Sequence, residues 1–232
     1  MNIEIIKRQV ELYKNQLERM NGRSERSTQA DSILKVLEKN FKVEGPINII
    51  ETGASHKWDD GMMGLLFARI SQETGGRMWM VDIDETIIQH AKQVFSQEEI
   101  DCVTFVVGDS VKFLEEFNDE VHIVHLDSWD LNLFDPFPSA LHGWREFVSI
   151  KDKLSNDTIV IVDDNYLAGT WVDWNHTMNG QIVRTERLTI NYPCVGKGSH
   201  IWWWVQQPEN GWELLSENIA GQNVKVICKK QK

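Results

Sequence analysis

Val121-His122-Ile123-Val124-His125-Leu126-Asp127 and, further along the chain, Thr158-Ile159-Val160-Ile161-Val162-Asp163-Asp164-Asn165 are two apolar runs that end in acid. A short, nearly continuous apolar run is the pattern of a parallel strand buried on both faces. In open α/β sheets, ligands bind in the crevice outside the carboxyl ends of such strands. Two neighbouring strands with these endings aim Asp127, Asp163 and Asp164 into one crevice. Three uncompensated carboxylates repel and raise one another's pKa. A hard divalent cation such as Mg²⁺ relieves that conflict, because it takes oxygen ligands. The two runs therefore predict an α/β enzyme with Asp127, Asp163 and Asp164 as metal ligands.

Upstream, strand and helix alternate. Gly45-Pro46 breaks the chain, and Ile47 to Glu51 reads as a first strand. A helix from Met62 to Ile70 follows, with Asp59 or Asp60 as its expected N-cap. Arg77 to Asp82 is a second strand, and Asp84 can cap a helix bearing Ile87, Ile88, Ala91, Val94 and Phe95. Val103 to Val107 is a third strand, and Ser110 can cap the helix carrying Val111, Leu114 and Phe117. The strand ending in Asp127 is the fourth. A helix from Ser139 to Leu154, with Leu141, Trp144, Phe147, Val148 and Leu154 turned inward, leads to the fifth. Such an order predicts a doubly wound, mostly parallel sheet with helices on both faces.

The turns of this frame carry candidate binding residues. Glu51-Thr52-Gly53-Ala54-Ser55 stands between the first strand and a helix, where this architecture puts a nucleotide-binding turn. Gly53 allows a tight turn and a close backbone approach. The glycine pattern of a dinucleotide fingerprint is incomplete, and an ordinary βα turn is the other reading. Asp82 and Ile83 end the second strand, where an acid can hold two ribose hydroxyls. Gly108-Asp109-Ser110 ends the third, where Asp109 or Ser110 can meet an exocyclic amine or serve only as a helix cap. Together the three strand ends favour an adenosine ligand.

These motifs resemble those of the class I S-adenosylmethionine-dependent methyltransferases. E-x-G after the first strand, V-D-I-D after the second and G-D-S after the third carry the likeness over residues 45–165. A closing pair of strands, Trp212 to Ser216 and Val224 to Lys229 with a turn at Gly221-Gln222, extends it by pattern. Leu126-Asp127-Ser128-Trp129-Asp130 further resembles the L-D-x-W segment of catechol O-methyltransferase. Asp163-Asp164 is similar to the metal pair of the magnesium-dependent macrolide-sugar O-methyltransferases. The resemblance implies a seven-stranded Rossmann-like methyltransferase fold, S-adenosylmethionine as cofactor, and Mg²⁺ or a similar ion on Asp127, Asp163 and Asp164. It implies Glu51, Gly53, Ala54, Ser55, Asp82, Ile83, Asp109, Ser110, Asp127 and Trp129 as cofactor contacts. Where the catechol enzyme carries a lysine base, this chain has Asp130, so that role does not transfer. Asp130, Lys197 and His200 are the leading candidates for a catalytic group, with His56 and His176 behind them. The expected reaction is O-methylation of a small-molecule hydroxyl, on a sugar or a natural-product diol. A metal-independent methyltransferase and a non-catalytic binding protein of the same fold are the alternatives.

Composition sets outer limits. The chain has 232 residues, a net charge of −11 and 10 tryptophans. That length suits one domain: amino-terminal helices over 1–44, a cofactor-binding core over 45–165, a substrate-side insertion over 166–211 and closing strands over 212–232. The acidic balance argues against sequence-independent nucleic-acid binding. Cys102, Cys194 and Cys228 are scattered and odd in number, as in a reduced cytoplasmic chain. No apolar stretch nears the roughly 20 residues of a membrane span. Residues 166–205 read as a long irregular insertion, a feature usually functional. Within it, Gly196-Lys197-Gly198 resembles a segment that follows the fifth strand in relatives. Lys197 could position an anionic group or simply open a solvated helix. Ile3, Ile6, Val10, Tyr13, Leu17 and Met20 form a helical stripe at the start, and Thr28 to Phe41 a second helix. The stripe can pack on its own domain, form a homodimer contact, or cover the site.

Overall fold

The alternation of strands and helices closes around Ile49–Thr52 (β1), four fully buried residues near the centre of the sheet. The computed structural model describes residues 2–22, 24–55, 57–58, 62–178, 181–215 and 224–231. Asn2–Arg19 (α1) and Ser24–Asn40 (α2) precede β1; Met63–Thr74 (α3), Met78–Asp82 (β2), Glu85–Val94 (α4), Gln97–Cys102 (α5) and Val103–Val107 (β3) follow it. Ser110–Glu116 (α6), Ile123–Leu126 (β4), Phe137–Ile150 (α7) and Ile159–Leu167 (β5) complete the parallel part. Then come Trp171–Met178 (β6), Gln181–Thr189 (β7), Cys194–Gly196 (β8), Ser199–Val205 (α8), a 3₁₀ turn at Pro208–Asn210, Trp212–Leu214 (β9) and Val224–Lys230 (β10).

The sheet runs β3-β2-β1-β4-β5-β10-β9, with the short β8 paired beside β5. β1 to β5 pair in parallel; β10 runs antiparallel to both β5 and β9. This is the seven-stranded, mostly parallel architecture expected. The order in which strands are added reverses between β1 and β4, so the carboxyl ends of β1, β2 and β4 open onto one crevice.

Successive strand residues face opposite sides. Ile49, Met78, Met80, Ile123, Ile159 and Ile161 bury against α1 to α4. Ile50, Trp79, Val124, Leu126, Val160 and Val162 bury against α6, α7 and α8. The amino-terminal stripe is spent within the chain: Ile6, Val10, Tyr13 and Leu17 enter the first of these layers, while Met20 stays half exposed.

Several local expectations change. Met62, in left-handed backbone, precedes α3, and Asp59 and Asp60 lie outside the described residues. Asp84 caps α4 as expected, accepting from Thr86 N. The cap of α6 is Asp109, not Ser110: its carboxylate accepts from the N–H groups of Val111 and Lys112, which a carboxylate does better than a hydroxyl at a helix N-terminus. On α7, Leu141 and Val148 face outward, and Ala140, Gly143, Phe147 and Ile150 take the inner face. Phe147 and Leu154 are buried as expected, while Leu141 and Val148 each stand one position, about 100°, past a buried residue. The segment after β5 is not irregular. It is a hairpin, β6 to β7, followed by β8 and α8. The Gly221-Gln222 turn lies outside the described residues. Among the described residues no helix is long and apolar enough to cross a membrane.

Three of the ten tryptophans pack around Phe147 of α7. Phe147 lies edge-on to Trp212 and Trp204, with ring centroids 4.9 and 5.5 Å away, and Trp144 is 6.0 Å away. Truncating Phe147 leaves a void that these three large, stiff side chains cannot fill. Phe147→Ala is expected to cost about 3–5 kcal/mol of unfolding free energy, read from a urea melt with unchanged slope.

Candidate functional site

A cleft of about 840 Å³ opens at the carboxyl edge of the sheet. That is within the range of roughly 300–1,000 Å³ typical of small-molecule sites. It is lined at one end by Gly53, Ala54, Ser55, Asp82, Ile83, Asp109 and Ser110, and at the other by Asp127, Trp129, Asp130, Asp164 and Lys197.

The first end is built by the βα turns. Gly53 has φ +81°, and a Cβ there would lie 2.5 Å from the carbonyl oxygen of Asp127. Only glycine lets the turn after β1 press against the end of β4. Asp82 is held by two backbone donors, Ala54 N to Oδ2 at 2.9 Å and Asp84 N to Oδ1 at 2.8 Å. The carboxylate thus has a fixed orientation beside the turn. Ile83, next along, is 77 % exposed at the mouth of the cleft. Ser110 Oγ lies 3.2 Å from His142 Nε2, and the His142 ring tilts against Trp129 at 5.3 Å.

Glu51 departs from its expected role. It is fully buried beneath the cleft rather than lining it, with Oε1 3.1 Å from His125 Nδ1. Burial and, after it, the charge of Asp127 raise the Glu51 carboxyl well above the usual range. Burial and the neighbouring Lys225 hold His125 well below the usual histidine value.

The acidic end is organised by three cations that the chain itself supplies. Asp163 is fully buried, and its Oδ2 meets Arg26 Nη1 and Lys225 Nζ, each at 2.6 Å. Its Oδ1 accepts from Asp164 N at 2.7 Å. Burial alone would raise this carboxyl, but Lys225 and Arg26 outweigh it and hold Asp163 well below the ordinary aspartate value. Lys197 Nζ lies 2.6 Å from Asp127 Oδ1, 3.0 Å from the Asp127 carbonyl oxygen and 3.0 Å from Asp164 Oδ2. Burial works against the charge of Lys197; Asp127, Asp164 and Asp163 overcome it and keep the ammonium above its ordinary value. Burial and Asp163 in turn raise Asp127.

The flanking glycines explain how a lysine comes to be 2 % exposed there. Gly196 has φ +128°, and its Cβ would fall 1.9 Å from the carbonyl oxygen of Asp164; a Cβ on Gly198 would meet Asn165 Oδ1 at 2.9 Å. A Cβ on Gly143 of α7 would strike the carbonyl of Lys197 at 2.5 Å. Three glycines therefore let the Lys197 backbone slide between β5 and α7. Backbone strain collects here too: Trp129 (φ +64°) and Asp164 (φ +51°) are non-glycine residues in left-handed backbone, and both line the cleft. Such outliers persist where the surroundings over-determine them, often at functional sites.

The expected three-aspartate ion site is thus not formed. Asp163 is turned away from the cleft onto Arg26 and Lys225, and Asp127 and Asp164 converge on an ammonium. His125, Asp127 and Asp163 do offer atoms within 4.8 Å of one another, and His125 Nε2 has no hydrogen-bond partner among the described residues. Yet three carboxylates already face three cations. At an effective dielectric of about 20, like unit charges 4 Å apart repel by about 4 kcal/mol, so a divalent ion added there meets repulsion rather than a vacancy. The donor set does not fit Mg²⁺.

Of the candidate catalytic groups, Lys197 and Asp130 reach the cleft. His200 sits on α8 against Phe137, outside the lining. His176 pairs with Glu186 across the hairpin, and His56 lies outside the described residues. Sequence reasoning missed Arg26, Lys225, His142 and Arg145. Lys225 did leave a signal, a charge within the inward-facing run Val224-Lys225-Val226-Ile227-Cys228. Arg26 left none: an arginine on an amphipathic helix is ordinarily solvated.

Residues 60–173 match the model of the spermine/spermidine synthase domain, just under half of the chain. Among solved structures, a methyltransferase from Geobacter sulfurreducens is similar at 14% identity and TM-score 0.53, covering 96% of this chain and 88% of that one. An S-adenosylmethionine-dependent methyltransferase from Clostridium acetobutylicum is similar at 10% identity and TM-score 0.52, covering 88% and 92%. The glycopeptide N-methyltransferase MtfA, solved with sinefungin, is similar at 10% identity and TM-score 0.51, covering 87% and 85%. No curated protein sequence matches this chain. The fold is the Rossmann-like fold of these methyltransferases.

Arg26 bridges the amino-terminal helices to the floor of the site. Arg26→Met leaves a buried carboxylate with one of its two cations and is expected to cost about 3–5 kcal/mol. Adding Asp163→Asn should restore part of that loss in chemical denaturation. Equal stability of Arg26→Met and the parent would show that the pair carries no weight.

Proposed function

We propose that this chain is a methyltransferase that uses S-adenosylmethionine to methylate a hydroxyl of a small molecule. The observation that carries the reading is Asp82, a fixed carboxylate at the end of β2 beside the Gly53 turn, within a cleft large enough for a nucleoside and a second molecule. The fold shared with known methyltransferases supports it.

On this reading Asp82 takes the two ribose hydroxyls, each through a charge-assisted hydrogen bond. Exposed Ile83 and the turn at Asp109-Ser110 receive the base, and Ile83 loses its unfavourable exposure to water when an aromatic ring covers it. Gly53 to Ser55 flank the amino-acid tail. When bound, S-adenosylmethionine supplies an electrophilic sulfonium methyl. The protein's part is alignment: holding a nucleophile in line and close converts a bimolecular encounter into an effectively unimolecular step. Trp129, Tyr166 and Val172 also line the cleft and give an acceptor apolar surface. Asp127, Asp130 and Asp164 stand there as acceptors for the hydroxyl proton. The negative field of the chain and an acid-lined cleft speak against a polyanionic nucleic-acid acceptor.

The matched synthase domain favours a second reading, transfer of an aminopropyl group from the decarboxylated donor. It covers the Asp82, Asp109 and Asp127 segments, so both readings share the nucleoside site. Calorimetric titration separates them. Tighter binding of S-adenosylhomocysteine than of methylthioadenosine supports methyl transfer; the reverse order supports aminopropyl transfer.

Asp82→Ala is expected to weaken S-adenosylhomocysteine binding ten- to a hundred-fold, about 1.5–3 kcal/mol for hydrogen bonds to a charged group. Unchanged affinity in a folded variant would show that the ribose is held elsewhere.

A further inference from the structure

We infer that the acidic end of this cleft works without a divalent cation, because the Lys197 ammonium stands between Asp127 and Asp164 where such an ion would have to sit. The inference shares the cleft of the methyl-transfer reading, but it rests on geometry that no methyl donor enters.

A cation bridging the ends of β4 and β5 needs free carboxylate oxygens from both strands. β5 offers Asp163 and Asp164. Asp163 has none to give: one oxygen lies against Arg26 and Lys225, and the other accepts a backbone N–H. Asp164 and Asp127 each direct an oxygen at Lys197, and the Asp127 carbonyl joins them. The ammonium thus donates to three oxygens within 3.0 Å, as many acceptors as it has hydrogens. Among the described residues, His125 Nε2 and Glu51 Oε2 are the buried ligand atoms nearby without a hydrogen-bond partner, and Lys225 and Arg26 beside Asp163 make their surroundings cationic.

The build of the segment points the same way. Lys197 is not a surface lysine that has swung inward. Gly196 and Gly198 let its backbone touch β5, Gly143 lets α7 close over it, and Lys197 N donates to the Asp164 carbonyl at 3.3 Å. A mobile side chain could yield to an ion, whereas a lysine anchored through its own backbone and enclosed on two sides cannot leave without moving β8 and α7. Lys197 is therefore a positioning residue. It fixes the Asp127 and Asp164 carboxylates at the cleft wall and supplies one permanent positive charge in place of an exchangeable one.

The test uses full-length protein, stripped with EDTA and titrated with Mn²⁺, which suits oxygen ligands and is seen by electron paramagnetic resonance. The parent chain is expected to show no stoichiometric Mn²⁺ site, with affinity no tighter than about millimolar. Lys197→Met, with its fold checked by circular dichroism and thermal melting, uncovers two carboxylates and should bind Mn²⁺ roughly ten-fold or more tighter, since the competing charge is gone. Adding Asp127→Asn to that variant should abolish the gain. One Mn²⁺ bound per parent chain and lost in Asp127→Asn or His125→Gln would overturn the inference. A folded Lys197→Met variant that binds Mn²⁺ no better than the parent would overturn the place given to Lys197. If that variant does not fold, the parent titration still decides. Failure of S-adenosylhomocysteine to bind would sink the methyl-transfer reading and leave these outcomes untouched.

Discussion

Three carboxylates at the carboxyl edge of one sheet are the constraint on which this structure turns. Parallel strands β4 and β5 deliver Asp127, Asp163 and Asp164 to one place, and a low-dielectric edge cannot hold three uncompensated charges. The chain answers with Arg26, Lys197 and Lys225, from three remote parts of the sequence. Each cation costs several kcal/mol to desolvate, and only close pairing recovers it. So α2, the β8–α8 segment and β10 are locked to the centre of the sheet by charge as well as by apolar packing.

That locking shapes the cleft. Because Asp163 is consumed below the floor, Asp127 and Asp164 are left to face ligand space from fixed positions. Trp129 and Asp164 are held in left-handed backbone at the rim of the same space. The end at Gly53 and Asp82 is built differently, from backbone turns and one anchored carboxylate. One wall thus presents a fixed carboxylate and backbone turns, while the other presents carboxylate oxygens and apolar rings.

The hairpin β6 to β7 stands apart from the main sheet. Arg187 stacks on Trp171 at 3.8 Å and pairs with Asp173, and Thr185 donates to Asn175, so cross-strand contacts stabilise it where a core does not. Val172 brings this hairpin to the cleft. The tryptophan triplet is resolved by a short helix: α8 lays Trp204 against Trp144, Phe147 and Trp212, and leaves Trp203 half exposed.

Local pattern was enough for the strand order, the acids at strand ends and the glycine turn, because periodicity and turn chemistry act over a few residues. It was enough, too, to single out Asp82, Asp127 and Lys197, which the structure brings to one cleft. It could not say what balances the acids. A metal ion and an internal ammonium solve the same electrostatic problem, and the choice lies in side chains 70 and 137 residues apart, Lys197 on Asp127 and Arg26 on Asp163. It also misplaced Glu51, since nothing local shows that its side chain is buried against His125, 74 residues away. The hairpin escaped for a related reason: exposed strands without a buried face carry no apolar alternation. Sequence determined which chemical groups reach the sheet edge; tertiary packing decided which of them neutralise one another and which are left for a ligand, because charge balance is settled by distance in space and not along the chain.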